Sequence, residues 1–185
     1  MTKDESTSYT LTGKLVTLRI PIRDDYDKIQ DIFNDKESMR ALIPFFGRDS
    51  WTKDEITERF ITLEKEFHSG SSIDYAVVDN TNGEIIGNCA IKNIDPDNKS
   101  AEFGIILHRK SWGKGVSSEC HVLALDYAFH HLKVDFIGFI TDEHNLRMQG
   151  FFKKHGIRFQ GTNRDGDFNY VVESSEWPHI REKLI

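Results

Sequence analysis

The sequence predicts one α+β domain built on a mixed, mostly antiparallel sheet. Three strands follow one another as a meander at 75–78, 85–91 and 101–107, and the turns between them are rich in Asp, Asn and Gly. A long helix comes next, because apolar residues recur at spacings of three and four from Val116 to Ala128. A chain of 185 residues can bury one core, and this one shows neither a linker nor an internal repeat.

The N-terminal elements follow from local patterns. Residues 1–12 are expected to form a flexible tail, which leaves a single domain at 13–185. Apolar and polar residues alternate over 14–20 and predict a first strand, which a proline ends. The segment 24–33 begins with acidic residues and carries an apolar stripe, as a first helix would.

Two signals precede the meander. The segment 41–48 is apolar but broken by a proline and a glycine, so it is expected to be a loop that carries Phe45 and Phe46. Such a loop either plugs the core or forms one wall of an acceptor pocket. Thr52 and Glu55 then have capping-box spacing and predict the start of a second helix.

The C-terminal third continues the alternation of strands and helices. Here the patterns predict, in order, a strand at 136–141, a helix at 145–155, a hairpin of 158–161 with 169–172, and a helix at 177–184.

Composition excludes several classes of function. A formal net charge of −6 argues against a nucleic-acid surface, which requires clustered basic residues. No apolar run is long enough for a membrane span, and the polar N-terminus does not resemble a signal peptide, so the cytoplasm is the expected location. Cys89 and Cys120 are isolated and are expected to be buried thiols. The histidines show no metal-ligand spacing, and no metal is predicted.

The segment between the third strand of the meander and the long helix predicts an anion site. Two glycines there let backbone N–H groups of the first helical turn point at a phosphate. A Walker A loop is excluded, because His108 stands where its first glycine belongs and Gly115 follows Lys114. A dinucleotide fingerprint is weak, because Ser118 replaces its third glycine.

The same segment resembles the signature [QR]-x-x-G-x-[GA] of the GCN5-related N-acetyltransferases, the GNAT family. The matching residues are Trp112, Gly113, Lys114, Gly115, Val116 and Ser117. Trp112 departs from the usual Gln or Arg and Ser117 from the usual Gly or Ala, yet WGKG is common in the branch that acetylates the N-termini of ribosomal proteins, the RimJ and RimL type. Matches in register at LTGKLVTLR, AEFG, NLRMQGFFKKHGIRFQG and SSEWPHIREKL extend the resemblance over 13–185.

The resemblance implies the GNAT acyl-CoA N-acyltransferase fold, in which the family's fourth and fifth strands splay apart at a bulge. It implies transfer of an acetyl group from acetyl-CoA to a primary amine. The pantetheine arm would pair with the backbone of Ile105, Ile106 and Leu107, and the pyrophosphate would bind the glycine segment. Asn145, Phe152 and Lys154 match positions that flank the other side of the cofactor.

The family chemistry assigns the remaining roles. Glu102 matches an acidic residue that holds the cationic amine and accepts its proton through water, and the N–H of Leu107 would polarise the thioester carbonyl. Phe45 and Phe46, with Trp51, would line the acceptor pocket. Further acidic positions that could line it are Asp142 and Glu143.

The usual proton donors to the leaving thiolate are absent. Met148 and Phe152 occupy the two positions where relatives carry Ser or Tyr, and neither side chain can donate a proton. Tyr170 and His144 are the candidate replacements. An acetyl-CoA-binding module with weak or no transferase activity is therefore the alternative. The acceptor, a protein N-terminal amine or a small cationic amine, stays open, as does a homodimer.

Overall fold

The computed structural model describes residues 9–40 and 42–185, with the backbone alone at 44 and 45. The strands are β1 Leu11–Thr12, β2 Val16–Arg19, β3 Ile73–Asp79, β4 Ile85–Asp95, β5 Ser100–Leu107, β6 Phe136–Thr141, β7 Arg158–Thr162 and β8 Phe168–Glu173. The helices are α1 Tyr26–Asn34, α2 Lys36–Met39, α3 Ile43–Phe46, α4 Lys53–Ser69, α5 Val116–Tyr127, α6 Leu146–His155 and α7 Trp177–Leu184. Short 3₁₀ turns at Arg23–Asp25 and Arg109–Ser111, and a π turn at Ala128–Leu132, complete the described elements.

The strands form one eight-stranded sheet within the described residues, in the order β1-β2-β3-β4-β5-β6-β8-β7. Neighbouring strands are antiparallel except β5 and β6, which are parallel. The prediction of a mixed, mostly antiparallel α+β sheet is confirmed. The family's fourth and fifth strands are β5 and β6 here, because the short β1 adds one strand at the edge.

The sheet splits between β5 and β6. These strands pair only over Ser100–Glu102 and Phe136–Gly138, after which β5 stays with β4 and β6 with β8. The predicted bulge does not accompany this split, because β4 and β5 keep a regular register from Glu102 to Leu107. Register shifts occur elsewhere, between β3 and β4 and at the far end of the β4–β5 pair.

Helices cover both faces of the sheet. Phe103 of β5 faces α5, where its ring lies 4.8 Å from that of His121. Ile106 faces the opposite side and packs in a second cluster with residues of α1 and α4. Cys89 and Cys120 are both free and, as predicted, buried; they lie in the main hydrophobic core, which also contains Phe103. No helix in the described part of the chain has the length and apolar composition that a membrane crossing requires.

Two segments near the N-terminus contain ordered structure where the sequence predicted a tail and a loop. The described fold starts before residue 13, because Tyr9 packs its ring 4.9 Å from that of Phe67 and β1 pairs with β2; residues 1–8 of the predicted tail lie outside the described residues. The segment 41–48 contains helix α3 and is not a continuous loop, although Ala41 itself is not described. Its proline occupies the first turn, where a missing N–H costs nothing, and Gly47 ends the helix with a φ of 63°.

Side chains of α5 bind two segments far apart in the chain, one before β2 and one in α7. The carboxylate of Glu119 accepts hydrogen bonds from the N–H groups of Lys14, Leu15 and Val16, at 2.7 to 2.8 Å. A Cβ atom at Gly13 would lie 2.5 Å from Glu119 Cδ, so the glycine makes room for this carboxylate. At the other end of α5, Asp126 accepts hydrogen bonds from two residues of α7, Trp177 and Arg181, at 2.8 and 2.9 Å.

Candidate active site

The split exposes one edge of β5 to a gap. His108 directs its N–H to the carbonyl oxygen of Ile86 in β4, at 2.9 Å. Backbone groups alternate in direction along a strand, so the N–H groups of Ile105 and Leu107 point the other way, into the gap that β6 leaves. The carbonyl oxygen of Leu107 also faces that side, where it accepts a hydrogen bond of 2.9 Å from Trp112 Nε1.

The glycine segment forms the start of α5. Gly113 and Gly115 have φ angles of 72° and 82°, a left-handed conformation that residues with a Cβ rarely adopt. The helix begins at Val116, so the N–H groups of Val116, Ser117 and Ser118 lack partners from a preceding helical turn. These amides lie at the positive end of the helix dipole, an arrangement that favours an anion, as the sequence predicts for this segment.

A cavity of about 580 Å³ lies over this segment. It is bounded by the gap-facing backbone of β5, by Trp112 and the glycines, and by α6. Its charged lining residues are Arg40, Arg147 and Lys154 against Glu37 and Asp142. The guanidinium of Arg147 stacks 3.2 Å from the centre of the Trp112 ring. Backbone amides and basic side chains together suit a ligand that carries several phosphates.

The predicted cofactor residues divide into two groups. Those that line this smaller cavity are Ile105, Ile106, Leu107, Trp112, Gly113, Gly115, Ser117, Asn145 and Lys154. Lys114, Val116 and Phe152 do not: Lys114 is exposed, Val116 is buried in the core, and Phe152 lines a different cavity. Sequence reasoning missed Arg147 and Ser118, although both lie within or beside motifs that it had used.

A larger cavity of about 950 Å³ lies on the opposite side of β5, between the sheet and α4. The two cavities share the lining residues Leu42, Ile105, Ile106, Asn145 and Met148. They therefore meet at the split in the sheet. The charged residues that line the larger cavity are Arg48, Glu55, Glu58, Arg59, Glu66, Asp74 and Lys92.

Asp74 is the most deeply buried charged group of the larger cavity. Its residue is 7 % exposed, and Oδ1 accepts a hydrogen bond of 2.9 Å from Asn88 Nδ2. Loss of hydration raises the pKa of this carboxyl group, while the charge of Arg59 and the bond from Asn88 lower it. Sequence reasoning did not single out Asp74, because an acidic residue directly before a predicted strand carries no local signature.

The predicted acceptor residues lie at different places. Phe46 and Trp51 line the larger cavity, with rings 5.4 Å apart, whereas the side chain of Phe45 lies outside the described part. Glu102 stands at the last paired position before the split and forms an ion pair of 3.3 Å with Lys92. It lies two residues from Gly104, which lines the larger cavity, but it does not itself line either cavity.

The two remaining acidic positions do not belong to the larger cavity. Asp142 lines the smaller cavity, where its Oδ1 accepts a hydrogen bond of 2.7 Å from the N–H of His144. Glu143 lines neither cavity. The structure therefore does not bring these two residues together with Phe46 and Trp51, and their role in an acceptor pocket stays a prediction.

The positions of the missing donors are now defined. Met148 lines both cavities, whereas Phe152 is 2 % exposed and packs its ring 4.5 Å from that of Tyr170. Tyr170 lines neither cavity, and burial raises the pKa of its hydroxyl. His144 is exposed at the rim of the smaller cavity.

His121 is a buried polar group beneath the split. Its Nδ1 lies 2.7 Å from the carbonyl oxygen of Ser117, which can only accept, so Nδ1 carries the proton. Nε2 has no hydrogen-bond partner among the described residues. Burial lowers the pKa of this imidazole to about 4, and it is therefore neutral at pH 7.

A family model described as an acetyltransferase (GNAT) domain matches residues 16–158. The chain belongs to the GNAT family. It is an N-acetyltransferase, and the acetyltransferases of this fold use acetyl-CoA. The described residues contain no cluster of three or more His, Cys, Asp or Glu side chains that could hold a metal ion.

GNAT relatives resemble the chain over most of its length. It is 28% identical to the uncharacterised N-acetyltransferase p20 of Bacillus licheniformis over 157 residues, which cover 84% of this chain and 86% of the relative. It is 27% identical to the spermidine N(1)-acetyltransferase of Escherichia coli K12 over 150 residues, 79% and 74% of the two chains. The spermidine N-acetyltransferase of Vibrio cholerae, solved with CoA and spermine, superposes with a TM-score of 0.76 at 23% identity and covers 90% of this chain and 99% of its own.

Proposed function

We propose that this GNAT enzyme acetylates the primary amine of a cationic acceptor, with acetyl-CoA in the smaller cavity and the acceptor in the larger one. One observation carries the proposal: the two cavities reach the split from opposite sides and share Ile105, Ile106, Asn145 and Met148 there. A thioester and an amine that enter from opposite sides would meet at the gap-facing edge of β5.

The charges of the two cavities support this assignment. On the larger side, ion pairs join Arg48 to Glu55 and Lys92 to Glu102. The lining charges that remain are Glu58, Glu66 and Asp74 against Arg59. This excess of negative charge favours a cationic acceptor, whereas the backbone amides and basic side chains of the smaller cavity favour phosphates.

The smaller cavity fits acetyl-CoA through the residues of the chain itself. Acetyl-CoA supplies a thioester whose carbonyl carbon an amine can attack. The amides of Val116 to Ser118 would hold the pyrophosphate, with Arg147 and Lys154 at further phosphates. The N–H of Leu107 points into the gap and is placed to donate a hydrogen bond to a carbonyl oxygen there.

Glu102 is the proposed base. Lys92 holds its carboxylate at the closed end of the split, on the sheet face of the larger cavity. From there it would accept the proton of the acceptor through a bridging water, because Gly104 leaves the space beside it open. This assignment extends the sequence prediction and is tested separately below.

The acceptor class within this proposal is a small cationic amine. The acidic cavity and the similarity to spermidine acetyltransferases favour it. A protein N-terminal amine, the ribosomal-protein-type acceptor, rests on the WGKG sequence and stays a prediction. So do the cytoplasmic location and the homodimer.

A binding module is the second candidate. The observation that favours it is the absence of a protic side chain at Met148 and Phe152, since both residues line the larger cavity and neither can donate a proton. Such a protein would hold acetyl-CoA and transfer its acetyl group slowly or not at all.

A panel of amines tests the two candidates against each other. Small mono- and diamines, and peptides with a free N-terminus, are incubated with acetyl-CoA, and release of free CoA thiol is measured alongside calorimetry of CoA binding. Acetylation of small amines above the rate of thioester hydrolysis would support the proposal. Tight CoA binding without any acetylated amine would favour the binding module, and acetylated peptides alone would identify the N-terminal acceptor.

A further inference from the structure

We propose that Asp74 anchors a second, non-reacting cation of the acceptor, so that the preferred substrate carries two positive groups. The inference rests on the proposed function, because it describes how the acceptor lies in the larger cavity. It assigns a role to a buried carboxylate that stands apart from the proposed base Glu102.

The first step is the position of Asp74 in the sheet. Asp74 pairs with Ala90 of β4, and Ala90 pairs with Gly104 of β5. Cross-strand partners share a face, so these three residues form one row across the floor of the larger cavity. All three line that cavity. The row leads from Asp74 to the gap-facing edge of the split.

The second step is the space along that row. Ala90 and Gly104 place almost no side-chain atoms on the floor, and a Cβ at Gly104 would meet only Lys92 Cε at 3.8 Å. Two inter-strand spacings separate Asp74 from Gly104, which is about 10 Å between their backbones. Asp74 is therefore too far from the gap to hold the reacting amine, but the open floor can hold a chain that joins two amines.

The third step is the unused hydrogen-bond acceptor of the Asp74 carboxylate. Asn88 Nδ2 donates to Oδ1, and Oδ2 accepts no hydrogen bond within the described residues. Arg59 lines the same cavity, but its guanidinium lies over the rings of Phe33 and Phe46, at 5.6 and 5.5 Å, and forms no ion pair with the described residues. A carboxylate 7 % exposed with an unused oxygen is costly unless a cation binds it.

Other charged groups around Asp74 agree with this role. Arg59 and Lys92 favour the ionised form, whereas Glu66 and burial oppose it, and the net effect raises the pKa of Asp74. A bound ammonium would reverse that shift, so that binding near the raised pKa would release a proton. Asp74 thus has the properties of a positioning residue that gains a partner when the acceptor binds.

The test compares diamines with monoamines of equal length. With acetyl-CoA saturating, kcat and KM are measured for the series from 1,3-diaminopropane to 1,8-diaminooctane and for the matching n-alkylamines. We expect an optimum chain length, at which the diamine has a KM about 10- to 100-fold below that of the monoamine, as for a hydrogen bond to a charged group. Equal KM values across the two series would overturn the proposal.

The variant Asp74→Asn keeps an oxygen for Asn88 and removes the charge. We expect it to raise the KM of the best diamine to the monoamine value, with kcat and the affinity for CoA unchanged and without loss of thermal stability. Glu64→Gln is the matched control, since it removes one negative charge from an exposed position of α4 outside the cavity. A fall in kcat for monoamines as well would show that Asp74 acts in the chemistry, and would contradict the anchor.

Failure of the proposed function gives a different result. If no amine is acetylated, calorimetry with 1,6-diaminohexane still measures the anchor directly. Binding that Asp74→Asn weakens about 10- to 100-fold would support the anchor without turnover. Binding that the variant leaves unchanged, or no binding by the wild-type protein, would overturn it.

Discussion

The two sides of the split sheet handle opposite charges by different means. On the smaller side, the proposed anion site combines the backbone amides of a helix start with the side chains of Arg147 and Lys154. On the larger side, charge comes from side chains of α4 and β3, of which Asp74 is the most buried. Under the proposed assignment, cofactor binding would depend mainly on backbone conformation, and acceptor choice on side chains that can change without disturbing the fold.

The comparison predicts that turnover and cofactor affinity can be separated, and Glu102→Gln should show this most strongly. Loss of a general base typically costs about 10²- to 10⁴-fold, so we expect kcat to fall in that range while the Kd for CoA stays the same. Steady-state kinetics at saturating amine from pH 6 to 9, with calorimetry, measures both.

Glu84→Gln is the control for Glu102, because it removes the same charge from an exposed turn. Unaltered turnover in Glu102→Gln would leave the proton to another residue or to solvent, and the proposed base would have to be abandoned.

The cofactor side should respond to charge in the opposite way. Ser118→Glu places a carboxylate in the first turn of α5, where the helix dipole favours it but a bound pyrophosphate does not. We expect the Kd for CoA to rise about 100-fold or more, because juxtaposed like charges cost several kcal/mol. Calorimetry measures the effect.

Ser118→Gln has the same size without the charge and should bind CoA far better than Ser118→Glu. Comparable affinities of the two variants would show that size, and not charge, governs this site, and the anion assignment would fail.

His121, beneath the split, should make the fold sensitive to acid. Its pKa is lowered to about 4 from 6.5 by burial, so between these values the unfolded chain binds a proton that the folded chain does not. The free energy of unfolding should therefore fall as the pH drops from 6.5 to 4, by at most about 3 kcal/mol from this group.

Urea unfolding at pH 7, 5 and 4 measures that contribution as the difference between wild type and His121→Phe. The free energy of unfolding of the variant should change less steeply with pH. His144→Gln, at an exposed histidine, should behave like wild type. If the free energy of unfolding depends on pH equally in His121→Phe and in wild type, His121 must take up its proton in the folded state as well.

Met148 lines both cavities, and substitution at this position is expected to have the smallest effect of the set. A serine there would place a hydroxyl where both cavities meet, whereas Phe152 is packed in the core. We expect Met148→Ser to raise kcat about tenfold over Met148→Ala, below the full range of general acid catalysis, because nothing in the chain orients the new hydroxyl. Met148→Ala creates a similar cavity, so the ratio of the two variants isolates the hydroxyl; a ratio of one would indicate that the thiolate leaves without a donor.

Prediction from sequence succeeded where the determinants are local. The glycine segment, the capping box at Thr52 and the closing helix at Trp177 each depend on residues close in the chain, and the structure contains all three. Asp74 is different, because it becomes part of a site only when β3, β4 and β5 are placed side by side. Tertiary placement, which no local pattern reports, also puts Phe152 in the buried wall of the larger cavity and outside the smaller one.

The split also divides the chain into two consecutive pieces. β1 to β5 and α1 to α5 all precede Lys133, and β6 to β8 with α6 and α7 all follow it. Within the described residues, the backbone passes from one half of the sheet to the other once, near Lys133, an exposed residue with a φ of 58°. The halves are joined by the short β5–β6 pairing, by the hydrogen bonds of Asp126 to α7, and by one shared core, in which Phe103 packs against Phe139. The two cavities therefore meet at the seam between two consecutive halves of the chain, which pack on one shared core.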